Sequence, residues 1–194
     1  MNHFSKRLTL LTLLTLLAGG MLWAQIPSGY YDRAQGKTGQ ELRAALHNII
    51  KDHTVKSYKE LVYAYPDTDG DSDGKLIDIY SSKHWDIDDT GSYSQEGDTW
   101  NKEHLWCQSW FGSGTPKSDL FHVYPVDGYV NGRRSAYPFA EVKYTAGAKN
   151  NYRSSNGSTL GTSITPGYSG VAFEPADEYK GDVARSMFYI IGVR

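Results

Sequence analysis

One short stretch, from Trp100 to Trp106, places a carboxylate directly before an imidazole and between two large aromatic residues. The carboxylate of Glu103 could supply the oxygen ligand that a hard cation such as Mg²⁺ prefers. The imidazole of His104, with an ordinary pKa of about 6.5, could take a proton from water at neutral pH. Together these two residues predict the centre of a metal-dependent site that hydrolyses phosphodiester bonds.

The order of the two residues restricts the backbone that can carry them. Adjacent side chains of an extended strand point to opposite faces, so Glu103 and His104 can serve one site only at the end of a strand or at a bend. On its own, a Glu-His pair is better explained by a surface carboxylate beside a core histidine. The prediction therefore depends on a second motif.

The second motif lies in residues 119–135 and contains the pattern Asn-x-x-Arg-Ser, in which Asn131 and Arg134 are the polar positions. With both motifs, the chain resembles the bacterial endonuclease I family of secreted or periplasmic non-specific nucleases. The resemblance is sharpest over residues 100–139 and extends over about residues 30–185. It implies an α+β fold with a ββα-metal (His-Me finger) core, surrounding helices and long loops.

The resemblance also implies roles for individual residues. It makes His104 the general base, Glu103 and Asn131 the ligands of a divalent ion, and Arg134 the arginine of the family pattern. The implied reaction is endonucleolytic hydrolysis of DNA to 5′-phosphate products, with RNA as a second candidate substrate. Mg²⁺ is the expected ion, with Ca²⁺ and Mn²⁺ as alternatives. One residue departs from the pattern, because Cys107 stands where proline is expected after the tryptophan.

Other polar residues near the motifs are candidates for supporting roles. Asp119 could orient its loop or His104 without touching the metal. His122 could lie beside the site, although a buried core histidine is the better explanation. Lys102 and Arg133 are candidate phosphate contacts. Arg134 could hold a non-bridging phosphate oxygen or could stabilise the site by pairing with an acid.

The elements that must position these residues form a hairpin followed by a helix. If His104 ends the first strand, residues 112–116 form the turn region and residues 118–124 return the chain. Pro125 is then expected in the first turn of a helix that carries Asn131, because proline suits that position. This arrangement would direct Asn131 back across the hairpin.

Three further helices are predicted. Thr38 and Glu41 have the spacing of a capping box, and the apolar face that follows them predicts a packing helix. A second helix is expected from near Ser57 to just before Pro66. A last helix is expected from about Gly181, with an apolar stripe along one side.

The remaining segments are predicted as a strand and two loops. Residues 75–80 alternate and end in a β-rich run, which predicts a strand. Residues 86–98 are acidic and predict a loop before the catalytic strand. Residues 144–170 are rich in Gly, Ser, Asn and Tyr and predict a long loop. Its tyrosines could stack on bases, although packing anchors are the commoner role.

The first residues predict a secretory signal peptide over residues 1–24. Lys6 and Arg7 supply its positive end, a short apolar run follows, and Ala24 is a suitable residue before cleavage. Residues 25–194 are then one nuclease domain, secreted or periplasmic, without a membrane span in the mature form and expected to be a monomer. The apolar pattern runs to the end of the chain, and the resemblance to a family whose members usually continue implies that the last helix is truncated there.

The distribution of charge favours a nucleic-acid substrate. Without the signal peptide the chain has 18 basic and 22 acidic residues, a net charge of −4. Residues 67–98 hold ten acids and two lysines, whereas residues 99–153 hold seven basic residues and four acids. The change of sign falls where the predicted site begins, and this would steer phosphates towards it.

The strongest alternative is a protein that binds without catalysis. Asp69 to Gly74 resembles the start of an EF-hand loop, but Tyr80 stands where the loop needs glutamate. A tight turn is therefore favoured over an irregular Ca²⁺ site. With Ca²⁺ bound there, the chain could instead be a secreted, Ca²⁺-stabilised binding module for glycans or surfaces.

Two other hydrolytic sites are less well supported. The single cysteine excludes an intrachain disulfide, and Cys107 is better explained as a small buried thiol than as a nucleophile. A zinc hydrolase is disfavoured because no two histidines have the His-x3-His spacing of a helical zinc site.

Overall fold

The computed structural model describes residues 26–193, in which helices and strands are both present. The α-helices are α1 (Gly39–Ile50), α2 (Leu61–Thr68), α3 (Gln108–Phe111), α4 (Gly128–Arg134) and α5 (Lys180–Val193). The strands are β1 (Leu76–Ile77), β2 (His84–Trp85), β3 (Trp100–His104), β4 (Val123–Asp127), β5 (Val142–Lys143), β6 (Tyr152–Arg153), β7 (Thr159–Ser163) and β8 (Val171–Glu174). Short 3₁₀-helices cover Asp32–Ala34, Thr115–Ser118 and Asp177–Tyr179. This mixture confirms the α+β class, whereas the predicted signal peptide lies outside the described residues.

The predicted hairpin is formed by β3 and β4, which pair antiparallel from Trp100 opposite Asp127 to His104 opposite Val123. The predicted return over residues 118–124 is wrong in its bounds, because a 3₁₀-helix covers Thr115–Ser118 and the strand begins only at Val123. The helix α4 follows β4 directly. The prediction for Pro125 is wrong, because this residue lies inside β4 opposite Lys102. A two-stranded sheet leaves one edge of each strand unpaired, so a proline can be accommodated in it.

Asp127 begins α4 in place of Pro125. Its carboxylate accepts hydrogen bonds from the backbone N–H groups of Tyr129 at 2.9 Å and Val130 at 3.0 Å. An aspartate in this position satisfies N–H groups that have no partner inside the helix. The last residue of β4 therefore also fixes where α4 starts.

The hairpin separates two hydrophobic clusters. Val126 and Leu105 belong to one cluster, on the side of α4, together with Val130. Trp100 and Val123 belong to the other cluster, which α2 and β1 complete. Because strand side chains alternate, consecutive residues of β3 face different clusters.

A second sheet has the order β5-β7-β6, with β8 also paired to β7, and all its pairs are antiparallel. The prediction of a long loop over residues 144–170 is therefore wrong, because this segment contains β6 and β7. The strand β7 reads Thr-Leu-Gly-Thr-Ser, which lacks the apolar alternation of a typical strand. Gly161 is needed there, since a Cβ would lie 2.6 Å from the carbonyl oxygen of Lys143.

The three predicted helices agree with the observed helices to different degrees. The helix α1 is confirmed, although the Thr38 side chain makes no capping hydrogen bond. The predicted second helix is wrong at both ends, since α2 begins at Leu61 and continues past Pro66 to Thr68. Proline removes one N–H only, and the helix ends two residues later, so the loss is confined to its last turn. The last helix is confirmed, beginning at Lys180.

The predicted strand over residues 75–80 is confirmed only in part, because β1 ends at Ile77. The next residue, Asp78, accepts hydrogen bonds from the N–H of Tyr80 at 2.7 Å and the hydroxyl of Ser81 at 2.6 Å. These bonds turn the chain away from the sheet. Residues 86–98 contain no helix or strand, as predicted.

Residues 69–74 form a turn organised by Asp71. Its Oδ1 accepts the N–H groups of Asp73 and Lys75, each at 2.9 Å. Its Oδ2 lies 2.5 Å from Nδ1 of His84, on β2. The aspartates of this segment thus take part in a turn that joins α2 to β1. None of the helices within residues 26–193 has both the length and the apolar character needed to cross a membrane.

Candidate active site

Glu103 lies on the α4 side of the hairpin and is 4% exposed. Its Oε1 accepts hydrogen bonds from the hydroxyl of Tyr80 and from Nη1 of Arg134, both at 2.8 Å. Burial raises the pKa of Glu103, while the Arg134 guanidinium and the Tyr80 hydroxyl oppose this change. The carboxylate is held firmly by two donors that come from distant parts of the chain.

Arg134, the last residue of α4, packs on the same side of the hairpin as Glu103. It is 1% exposed, and besides Glu103 it donates to the carbonyl oxygens of His104 at 3.1 Å and Leu105 at 2.7 Å. Its guanidinium also lies 4.5 Å from the ring centroid of Phe139. Of the two roles predicted for Arg134, this geometry favours pairing with an acid.

Asn131 is linked to β3 through a residue that the sequence did not single out. Its Nδ2 donates to Oδ1 of Asn101 at 2.7 Å. Asn101 and Glu103 are two residues apart on β3, and Asn131 and Arg134 are three apart on α4. Each pair therefore shares one face of its element, which brings Glu103 and Asn131 to the same side of the hairpin.

A loop residue packs beside the two asparagines. The ring of Tyr93, from the acidic loop, lies against the two glycines of α4, where a Cβ at Gly128 would be 2.7 Å from a ring carbon. The same Cβ would be 3.2 Å from Nδ2 of Asn101. The glycines thus let the loop approach the helix closely where Asn101 and Asn131 meet.

His104 is the last residue of β3, and its imidazole lies on the opposite face from the Glu103 carboxylate. Its Nε2 lies 2.9 Å from the carbonyl oxygen of Lys117. A carbonyl can only accept, so Nε2 carries the proton and Nδ1 of a neutral imidazole keeps its lone pair. Burial lowers the pKa of His104, which favours that neutral form.

Aromatic rings surround the His104 imidazole. Tyr58 lies parallel to it, with an angle of 9° and centroids 5.8 Å apart. Phe111 and His122 lie at the same centroid distance with tilted rings. These neighbours fix the plane of the imidazole. The structure brings Glu103, Asn131 and Arg134 to one side of the hairpin and His104 to the other, so one substrate could meet both sides only at the end of β3.

His122 and Asp119 are both buried. His122 is fully buried, with Nε2 2.5 Å from the carbonyl oxygen of Pro116, as expected of a core histidine. Asp119 accepts the N–H of Phe121 at 3.0 Å and the hydroxyl of Tyr189 at 3.0 Å. It therefore orients its own loop and ties that loop to α5.

Lys102 and Arg133 lie nearer the surface than these residues, whereas Cys107 is buried. Lys102 is half-buried, with Nζ 4.8 Å from the ring centroid of Tyr58. Arg133 is exposed and donates to the hydroxyl of Tyr129 at 2.5 Å. Cys107 is buried, and burial raises the pKa of its thiol, so it has the character of a packed thiol and not of a nucleophile.

The residues on the α4 side can offer few protein ligands to a cation. Among residues 26–193, no group of three or more His, Cys, Asp or Glu side chains is arranged to hold a metal ion. A cation would rest on the Glu103 carboxylate, the Asn131 amide oxygen and water. Such an incomplete shell of hard oxygen ligands fits Mg²⁺, which usually keeps several waters. The bond from Asn131 Nδ2 to Asn101 fits this set, because it orients the amide and leaves Oδ1 as the ligand atom.

Four residues of this region were missed in the sequence: Tyr58, Tyr80, Asn101 and Lys117. Asn101 could have been found from its spacing, because it lies two residues before Glu103 and so on the same face of the strand. Tyr80 and Tyr58 are 23 and 46 positions from their partners, and nothing local indicates those contacts. Lys117 contacts His104 through its backbone carbonyl. Every residue type has this group, so the sequence could not have indicated the contact.

Residues 38–193 match the family described as Endonuclease I. The chain is 36% identical over 186 residues to an extracellular ribonuclease of Bacillus subtilis (strain 168), an alignment that covers 92% of this chain and 58% of that protein. It is 35% identical over 166 residues to an extracellular ribonuclease of Bacillus amyloliquefaciens, covering 83% and 52%. The chain thus spans somewhat more than half the length of these curated relatives. No solved structure matches it significantly. On the strength of the family match, this chain belongs to the endonuclease I family.

Proposed function

We propose that this protein is a metal-dependent nuclease that hydrolyses the phosphodiester bonds of nucleic acids with little sequence specificity. The single observation that carries the proposal is the hydrogen bond between His104 Nε2 and the Lys117 carbonyl. It leaves a neutral imidazole with an available Nδ1 at the end of the strand that also carries Glu103. Family membership supports the same reaction class, and the relatives' printed names support RNA beside DNA as a substrate.

His104 acts as the general base. Its Nδ1 takes a proton from the attacking water, whose oxygen forms the new bond to phosphorus, and the bond to the 3′ oxygen breaks. The Lys117 carbonyl keeps the other nitrogen protonated throughout and stabilises the imidazolium that forms. The product strand then carries a 5′ phosphate.

Glu103 and Asn131 would hold the divalent ion, with Mg²⁺ expected and Mn²⁺ or Ca²⁺ as alternatives. When bound, the ion supplies charge neutralisation for the transition state and for the departing oxygen. Tyr80 and Arg134 both bond to Oε1 of Glu103, so Oε2 would remain for the ion. Arg134 is a positioning residue in this scheme, because it is buried and its Nη1 and Nη2 groups donate to Glu103 and two backbone carbonyls.

Nicking of a supercoiled plasmid and degradation of a single-stranded RNA, each with Mg²⁺ and with EDTA, test this proposal. The variant His104→Ala should lose cleavage, while His84→Ala, which removes an exposed histidine, should keep it. Unchanged cleavage by His104→Ala would exclude His104 as the base. Failure of folded wild-type protein to cleave either substrate would favour the binding module instead.

We further propose that the protein acts outside the cytoplasm. The predicted signal peptide over residues 1–24 and the printed names of the two relatives support export. Expression of the full chain in a bacterium, followed by fractionation, should recover a shortened protein outside the cytoplasm. Retention of an uncut chain in the cytoplasm would contradict this.

A further inference from the structure

Two lysines approach the ring of Tyr58 beside the candidate active site. The Nζ of Lys102 lies 4.8 Å from the ring centroid, and the Nζ of Lys117 lies 5.5 Å from it. The two ammonium groups are therefore no further apart than the sum of these distances, about 10 Å. Within residues 26–193, neither lysine forms an ion pair with a carboxylate.

The same ring connects these lysines to His104. Tyr58 lies parallel to the His104 imidazole, and the backbone carbonyl of Lys117 accepts the proton of His104 Nε2. Lys102 and His104 are two residues apart on β3, so they share one face of the strand. The two lysines and the tyrosine thus lie together beside the buried imidazole of His104.

We propose that Lys102 and Lys117 bind the phosphate backbone of a single nucleic-acid strand and that Tyr58 holds this surface against His104. The inference rests on the proposed function, which supplies a reason for a phosphate to lie at His104. It adds Tyr58 and Lys117 to the candidate site. It also assigns the phosphate backbone of the substrate to the surface that these two residues form with Lys102.

The charges on this surface favour an anionic occupant. Two cations within about 10 Å of each other repel, and no described carboxylate forms an ion pair with either, so a bound anion would relieve the repulsion. One strand of a nucleic acid places successive phosphates about 3.4 Å apart along its axis, so two ammonium groups within about 10 Å can contact neighbouring phosphates.

Three cations elsewhere in the fold are already paired with carboxylates. Arg134 is bound to Glu103, Lys75 to Asp86, and Lys180 to Glu174. Lys102 and Lys117 differ from these three because they form no ion pair among the described residues and lie near an aromatic ring, which attracts a cation weakly where water can reach it. The Tyr58 ring already has His104 on one side and the two lysines near it, so a phosphate fits this surface better than a stacked base does. Binding should then be independent of base sequence.

Binding measured without cleavage tests this inference. The full mature chain, in EDTA, is titrated against a fluorescein-labelled single-stranded DNA of about 12 nucleotides, and anisotropy is read over a series of KCl concentrations. Each phosphate contact on a single strand contributes about 0.7 to the slope of log affinity against log salt concentration. The double variant Lys102→Met/Lys117→Met should lower that slope by roughly 1.4 and weaken binding by about tenfold or more near 0.1 M salt.

Two variants serve as controls. Lys143→Met/Lys149→Met removes two exposed lysines from another part of the surface, with the same change of net charge, and should leave the slope unchanged. Lys102→Arg/Lys117→Arg keeps both charges and should keep the slope. A slope that is unchanged in the test variant, or lowered equally in the Lys143 and Lys149 control, overturns the inference.

Cleavage assays separate this inference from the proposed function. If the wild-type protein cleaves nucleic acid in Mg²⁺ but the Lys102→Met/Lys117→Met variant has the same salt slope as wild type, the binding surface alone is overturned. Wild-type protein that shows the lysine-dependent slope but cleaves nothing overturns the nuclease and supports the surface. Wild-type protein that binds no DNA in EDTA also overturns the surface.

Discussion

The two faces of the β3–β4 hairpin carry polar residues in opposite states. On the α4 face, Glu103 and Arg134 are buried and pair with each other and with backbone groups. On the other face, Lys102 and Lys117 have no acidic partner among the described residues, and His104 uses only one ring nitrogen in a hydrogen bond to a carbonyl. The first face pairs its charged groups with each other and with the backbone, whereas the second leaves two ammonium groups without an ion pair.

This division follows from the alternation of a single strand. Glu103 and His104 are neighbours in the sequence, yet one carboxylate and one imidazole are sent to opposite sides of the hairpin. Arg134 joins the two sides, because it binds the Glu103 carboxylate and the His104 carbonyl together. Substitutions of the paired charges on the α4 face should therefore alter stability first, and substitutions of the lysines on the other face should alter nucleic-acid binding.

The largest effect is expected for Arg134→Met. The substitution leaves the buried Glu103 carboxylate without its cation and should lower the free energy of unfolding by about 3 to 5 kcal/mol. Urea denaturation measures this loss, and Arg133→Met, at the exposed neighbouring position, should change it by less than about 0.5 kcal/mol. Adding Glu103→Gln to Arg134→Met should recover part of the loss, since no unpaired charge then remains. Equal losses for Arg133 and Arg134 would contradict the proposed division.

A smaller effect concerns a buried carboxylate that has no cation as partner. Burial raises the pKa of Asp78 to about 6, although Ser81, Trp85 and two backbone N–H groups donate to it. A carboxyl group whose pKa is raised on folding binds its proton more tightly in the folded state. Its stabilising contribution is complete below the unfolded pKa near 3.8 and is lost as pH rises through about 6.

This pH dependence can be isolated by substitution. The difference in unfolding free energy between wild type and Asp78→Asn should shrink by up to about 3 kcal/mol as pH rises from about 4 to 7. Asp88→Asn, at an exposed aspartate, should show no such trend. Denaturation curves across this pH range measure the difference in unfolding free energy between wild type and Asp78→Asn. A difference that stays constant would show that Asp78 does not titrate in this range.

The next effect separates orientation from folding on the α4 face. Asn101→Ala removes the acceptor that orients the Asn131 amide, so the affinity for Mn²⁺ or Mg²⁺ should fall by about 10- to 100-fold. Isothermal titration with the metal alone measures this without any substrate. The exposed Asn48→Ala provides the matched control and should bind metal like wild type. Unchanged metal affinity in Asn101→Ala would remove Asn101 from the site.

The sequence predicted the local parts of this arrangement and missed the contacts between distant segments. The hairpin at Trp100 and the helices α1 and α5 follow from patterns within one element. The pairing of Tyr80 with Glu103 and of Tyr58 with His104 depends on how separate elements pack, which no local pattern encodes. The strand β7 was missed because its polar and glycine residues suit the close approach of β5 and not a hydrophobic pattern. Pro125 was misplaced because a two-stranded sheet tolerates a proline that a wider sheet would exclude.

The smallest effect on stability is expected for single lysine variants on the face of the hairpin opposite α4. Lys102→Met and Lys117→Met should each change the free energy of unfolding by no more than about 0.5 kcal/mol, because they break no ion pair. The lost attraction to the Tyr58 ring and the relieved repulsion between the lysines have opposite signs and similar size. Added salt screens the repulsion, so any gain in stability seen at low ionic strength should disappear at about 1 M salt. Urea denaturation at both salt concentrations measures this change. A loss comparable to that of Arg134→Met would mean that these lysines hold the fold together, and the two faces of the hairpin would then not differ in the way that their contacts indicate.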